Sequence, residues 1–269
     1  MEILWGASVA PAMRIVAFHR DGHLSALNLL QGEDGRTQRS APTKMIIMLG
    51  MISFKVIIAR VVAVVVAIGL WLWTQALLGK RTAPTIGEGG AICDGIHQLT
   101  ARINARLLKY PKRADALLIS SSLVIDLLGF YVLGLAIFGK TIEPFLGLFI
   151  LFALRQFCQA FCPLPPPAGM IWRDPGFPTL LVTYGTANDL FFSGHTAIAV
   201  YGAVILGASL GTVGMIPGGF IIAFEISVVL LLRAHYTMDV FTGAITALYV
   251  HRLAADWAPV VDRWIAHFT

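Results

Sequence analysis

The feature that most constrains this chain is a series of apolar runs, each long enough to cross a bilayer. About six stretches reach the roughly 17 to 25 residues that a hydrocarbon core demands of a helix, at about 57–78, 116–138, 142–161, 190–210, 213–232 and 236–253. With 57% hydrophobic and only 13% charged residues, the chain carries far more apolar surface than one water-soluble core could hide. Spanning strands would need a closed barrel and a repeated alternation over about ten residues, which this sequence lacks. The expected class is therefore all-α and integral to the membrane, a bundle of six transmembrane helices.

The net charge of +5 would suggest nucleic acid as a partner in a soluble protein. Here the basic residues lie between apolar runs, where they meet anionic headgroups, so no nucleic-acid partner is expected. Cys93, Cys158 and Cys162 lack Cys-x-x-Cys spacing and make no disulfide framework. They read as small apolar packing residues. Residues 1–44 form a polar N-terminal extension without a signal-peptide pattern. Because Met45, Met48 and Met51 precede the first span, a later start is an open alternative. The extension receives no function, and residues 45–269 form the six-span domain.

Between the first and second spans, Ile92, Ile96, Leu99, Ile103 and Leu107 recur at helical spacing while Arg102, Arg106 and Lys109 point elsewhere. That pattern describes an amphipathic helix lying in the interface, either as a lid over a lipid entrance or as a surface-anchoring connector. Between the third and fourth spans comes Cys162-Pro-Leu-Pro-Pro-Pro167, followed by Trp172-Arg173-Asp174-Pro175-Gly176. Proline fixes φ and lacks an amide donor, so this stretch forms a rigid irregular crossing. It walls a site at the membrane surface or merely connects two spans; composition does not choose.

The chemistry-bearing residues sit at span margins, where ionisable groups are costly and usually functional. On a helix His235 and Asp239 share a face, so the carboxylate can accept the imidazole Nδ1 proton and leave Nε2 as a nucleophile. A structural His-Asp pair at a helix start is the alternative. His195 stands in Ser193-Gly194-His195-Thr196 at the start of the fourth span. Gly194 permits close approach of a ligand, Ser193 can offer a hydroxyl, and the first helical turn presents unpaired amides to an anion. An imidazole there can act as general acid. Ser193 as a helix cap beside an interfacial histidine is the competing reading. Two spans separate His195 from His235, so both fall on the same side of the membrane.

The segments Phe-Ser-Gly-His195-Thr and His235-Tyr-Thr-Met-Asp239, together with six spans, resemble the lipid phosphotransferase branch of the type-2 phosphatidic acid phosphatase superfamily. Within it the likeness is to sphingomyelin synthases and plant phosphatidylcholine:diacylglycerol cholinephosphotransferases. It covers roughly residues 80–255 and extends to Arg155 ahead of Leu164-Pro165 and Pro167, and to Asp189 ahead of Ser-Gly-His. The resemblance implies His235 as nucleophile, Asp239 as its orienting partner and His195 as the acid that protonates the departing alcohol. It also implies substrate contacts from Ser193, Gly194, Arg155, Asp189, Arg233 and Tyr236, with Arg233 more like the plant enzymes.

The ordinary phosphatases of this superfamily carry a Lys-x6-Arg-Pro motif and a Ser-Arg pair upstream of the nucleophile, and this chain has neither. A phosphate monoester approaches two negative charges near neutral pH, whereas a diester headgroup carries one. Fewer basic residues therefore fit a diester, although Arg155, Arg173 or Arg106 could fold into the site. The expected activity is transfer of phosphocholine or phosphoethanolamine from a phospholipid to diacylglycerol or a ceramide-like alcohol through a phosphohistidine. A lipid phosphate phosphatase with the same histidines is the alternative, and a non-enzymatic lipid-binding or scrambling protein a further one. No metal and no cofactor are expected, because no acidic cluster accompanies the motifs and the leaving group already has a proton donor. Asp126 and Glu225 read as intramembrane polar groups paired within the bundle. The resemblance implies an exoplasmic site, periplasmic or lumenal. Lys and Arg counts are nearly balanced with residues 1–44 and favour the opposite orientation without them. Oligomeric state is not specified by the sequence.

Overall fold

A computed structural model describes residues 53–80, 92–184 and 190–268. The polar extension and the question of the start lie outside the described residues. Among those described there are eight helices and no strand. In chain order they are α1 (Phe54–Gly79), α2 (Gly95–Leu99), α3 (Ala101–Lys109), α4 (Pro111–Phe138), α5 (Glu143–Phe161), α6 (Gly194–Leu210), α7 (Thr212–Leu231) and α8 (Thr237–Phe268).

Four of these, α1, α4, α5 and α7, are long and apolar enough to cross a membrane. The other two spans expected from the sequence correspond to the 17-residue apolar α6 and to α8. The latter runs 32 residues, well past the expected end near 253. Two polar residues of α8 have partners in the bundle: the His251 ring, near the expected end, lies 3.5 Å from Glu143, and Asp262, in the added turns, pairs with Arg60 at 3.0 Å. Arg60, within the first apolar run, is 4% exposed and also donates to the Gly139 carbonyl at 2.6 Å. Asp262 accepts from the Thr141 hydroxyl and the Ile142 amide, which fastens the α4–α5 turn to α8.

The pivotal helix is α6, whose residues from His195 to Ala203 are all buried. Small residues let its neighbours close on it. A Cβ on Gly147 would sit 2.0 Å from the Tyr201 hydroxyl, and one on Gly202 would strike Leu128 at 2.5 Å. Outward faces of α1 and α7 expose Val62, Val65, Trp73, Ile216 and Phe220, the inverse of a water-soluble bundle. The two carboxylates within apolar runs each have a hydrogen-bond partner. Asp126 accepts the Leu180 and Leu181 amides at 2.9 and 2.8 Å, and Glu225 accepts the Ser121 hydroxyl at 2.6 Å.

Two expectations need correction. The amphipathic connector is not one helix: it breaks between α2 and α3 at Thr100, whose hydroxyl bonds back to the Ile96 carbonyl at 2.8 Å. Its apolar stripe divides: Ile92, Leu99 and Ile103 are exposed, while Leu107 joins His97 and Asn104 on the buried face. The cysteines also differ from expectation, since Cys93 and Cys162 are exposed and only Cys158 is partly buried against the core.

Candidate active site

The starts of α6 and α8 are joined to each other. Ser193 caps α6, its hydroxyl oxygen accepting the Thr196 amide at 3.3 Å. Its own amide donates to the Asp239 carbonyl at 3.1 Å. Gly243, one turn into α8, lies against this junction; a Cβ there would meet the Ser193 carbonyl oxygen at 2.7 Å. Asp239 in turn accepts the Tyr236 amide at 2.9 Å, taking up one of the donors that a helix start leaves without a partner. Two helix starts thereby meet at one point, each contributing a histidine.

His235 is 4% exposed. Its Nδ1 lies 2.8 Å from the Leu190 carbonyl oxygen, whereas the Asp239 carboxylate is 3.8 Å away, beyond a hydrogen bond. The expected Asp239–Nδ1 bond is thus replaced by one to backbone, while the Asp239 carboxylate takes the Tyr236 amide. A carbonyl can only accept. The ring proton therefore belongs on Nδ1, and Nε2 is left with its lone pair available.

His195 is 7% exposed, and its Nε2 has no hydrogen-bond partner among the described residues. The Trp172 ring stands edge-on to it, centroids 5.3 Å apart. Both histidines line one cavity of about 30 Å³, together with Arg155 and Gly194. Its walls are apolar, from Trp71 and Phe152 on α1 and α5 and from Met170, Trp172 and Leu181 of the proline-rich crossing. That crossing therefore walls the site as well as connecting helices. Arg155 donates from Nε to the Phe192 carbonyl at 3.0 Å, and a Cβ on Gly194 would come within 3.0 Å of the same Nε. Glycine is what lets the guanidinium lie across the start of α6. A cation, a helix start and two imidazoles thus line one small, largely apolar-walled cavity, a combination that suits a negatively charged group.

The other expected contacts lie elsewhere. Ser193 is fully buried in its cap and also donates to the Thr196 hydroxyl at 3.0 Å, so it does not line the cavity. Arg233 and Tyr236 face a second, shallower cavity of about 240 Å³ against α2. Arg233 donates to the Ala168 carbonyl and, at 3.1 Å, to that of His97; the Tyr236 hydroxyl donates to the Pro165 carbonyl at 3.1 Å. Arg173 pairs with Asp115 at 2.6 Å on the surface, and Arg106 is exposed. Arg155 is the one cation lining the histidine cavity among the described residues. Asp189 lies outside the described residues.

Sequence reasoning missed Asp94 and His97. Asp94 caps α2, accepting the Ile96 and His97 amides at 3.0 and 3.1 Å, and reaches across to the Thr237 amide at 2.6 Å and hydroxyl at 2.8 Å. Burial opposes its charge, but the Thr237 and His97 hydrogen bonds outweigh it and hold the carboxyl below its ordinary range. The cap was legible in Asp94-Gly-Ile. The bond to a residue 143 positions later was not. No family model, curated protein or solved structure matches this chain.

Proposed function

We propose that this chain is a lipid phosphotransferase with six membrane crossings, similar to the headgroup-transferring branch of the type-2 phosphatidic acid phosphatase superfamily, with its site on the exoplasmic face. One observation carries the reading: His195 and His235, from separate helix starts, line a single apolar-walled cavity with Arg155. The His235 Nε2 lone pair attacks the phosphorus of a phospholipid headgroup, and the bond from phosphorus to the diacylglycerol oxygen breaks. His195, in protonated form, gives its proton to that oxygen. Arg155 and the α6 amides hold the phosphoryl charge. An acceptor lipid alcohol then attacks the phosphohistidine, the N–P bond breaks, and the alcohol proton passes to His195, restoring both rings. Atoms and protons balance without an added cofactor.

The single cavity arginine favours a phosphodiester over the doubly charged phosphatidate. A cavity of about 30 Å³ holds little more than a water, so the aromatic wall has to part as the headgroup arrives. The deciding experiment uses purified protein in detergent with a glycerophospholipid and labelled diacylglycerol. Label should enter the donor phospholipid with no other acceptor present, since a shared phosphohistidine makes the first step reversible. Fast release of inorganic phosphate from phosphatidate, with no such exchange, would establish the hydrolase instead. Neither activity, in protein that is folded and lipid-loaded, would leave the non-enzymatic reading.

A further inference from the structure

The nucleophile sits on a five-residue connection, 232–236, between α7 and α8, and this connection is held from outside by α2 and α3. His97 Nε2 lies 3.0 Å from the His235 carbonyl oxygen, and both are buried. The carboxylate of Asp94 takes both the amide and hydroxyl of Thr237, immediately after the connection. On the other side, Asn104 donates to the Leu231 carbonyl at 3.0 Å, and Arg233 returns a bond to the His97 carbonyl at 3.1 Å. Arg233 has φ 55°, a left-handed conformation that a non-glycine residue keeps only when its surroundings hold it. None of these contacts belongs to the cavity lined by the two histidines.

We infer that Asp94 and His97 are positioning residues for His235, fixing the backbone from which its imidazole reaches the phosphorus. This rests on the reading of His235 as nucleophile. The ring bonds at one atom, Nδ1 to the Leu190 carbonyl, so the place of Nε2 depends on where the backbone holds Cα and Cβ of His235. Fixing the carbonyl of the same residue and the amide two residues on sets that backbone position. A reacting atom displaced by about 1 Å loses on the order of a hundredfold in rate. The helix that supplies the clamp is only five residues long and does not hold itself together. It is ordered by what it grips, so clamp and connection order each other. Leu99 and Ile103 are exposed on the outer side of the same segment, beside exposed Arg102 and Arg106.

The test compares wild type with His97→Ala, His97→Gln and Asp94→Ala in the labelled-diacylglycerol exchange, alongside hydrogen exchange of the peptide containing Tyr236 and Thr237. His97→Ala and Asp94→Ala should lower kcat about 10- to 100-fold, change KM less than about threefold, and speed amide exchange at Thr237. Glutamine keeps an N–H donor of similar reach, so His97→Gln should recover most of the rate. Equal kcat in all variants, or a loss in His97→Ala that glutamine does not repair, overturns the proposal. Should wild type itself incorporate no label, the transferase reading fails on its own. The clamp is then decided by exchange: unchanged protection at Thr237 in both alanine variants would refute it.

Discussion

At the scale of single residues, the bond from His235 Nδ1 to the Leu190 carbonyl changes what each substitution should cost. Replacing a triad aspartate by asparagine is usually severe because the amide lets the wrong tautomer form. Here a backbone carbonyl sets the tautomer and Asp239 stands 3.8 Å off. Asp239→Asn should therefore lower kcat only about 10- to 100-fold, while His235→Ala abolishes both exchange and the phosphoenzyme, as read by acid-labile label on the protein. Gly194→Ala should shift the Arg155 guanidinium by a few tenths of an ångström at the α6 start, and on the proposed role of that group in holding the headgroup, KM for the phospholipid should rise severalfold with the fold intact. That His195 and His235 lie together was legible in the sequence, because each stands at a span margin and two spans separate them. Arg233 was misread for a simple reason: two residues from His235 in the chain, it turns at positive φ and faces the opposite cavity.

Among elements, hydropathy identified the long helices because a bilayer leaves the backbone no other way to satisfy itself. It marks where the last apolar run stops, near 253, but not that α8 continues as a helix to Phe268, because hydropathy does not count partners. Asp262 looks like an exit from the membrane until Arg60, some two hundred residues earlier, is seen to meet it. Arg60→Ala takes from that carboxylate its cation, leaving it the Thr141 and Ile142 donors, and removes the side-chain donor to the Gly139 carbonyl. The expected loss is about 3 kcal/mol, an apparent thermal midpoint lower by roughly 5–10 °C in detergent, with exchange activity unaltered at low temperature. The α2 clamp has its own acid limit. Since the Asp94 carboxyl is held below its ordinary range, its stabilisation is complete above the unfolded aspartate value near 3.9 and disappears as pH falls through the depressed folded one. Protection of the Thr237 amide should persist from pH 8 down to 5, and any acid loss of activity in that window must arise elsewhere.

For the molecule as a whole, a scheme that uses His195 as proton donor should run unchanged in EDTA, with the exchange assay as readout. Full loss with recovery on adding Mg²⁺ would contradict it. The length of α8 bears on a different matter. Thirty-two residues rise about 48 Å, against a hydrocarbon core of about 30 Å, and the helix begins beside His235. Trp264 and Phe268 are exposed at its other end. With α8 as the sixth of the proposed crossings, an epitope attached after Phe268 and the histidine cavity occupy different compartments. Protease digestion of sealed cells or vesicles would report which compartment holds the epitope, and so which leaflet the proposed reaction draws upon, before any substrate is known.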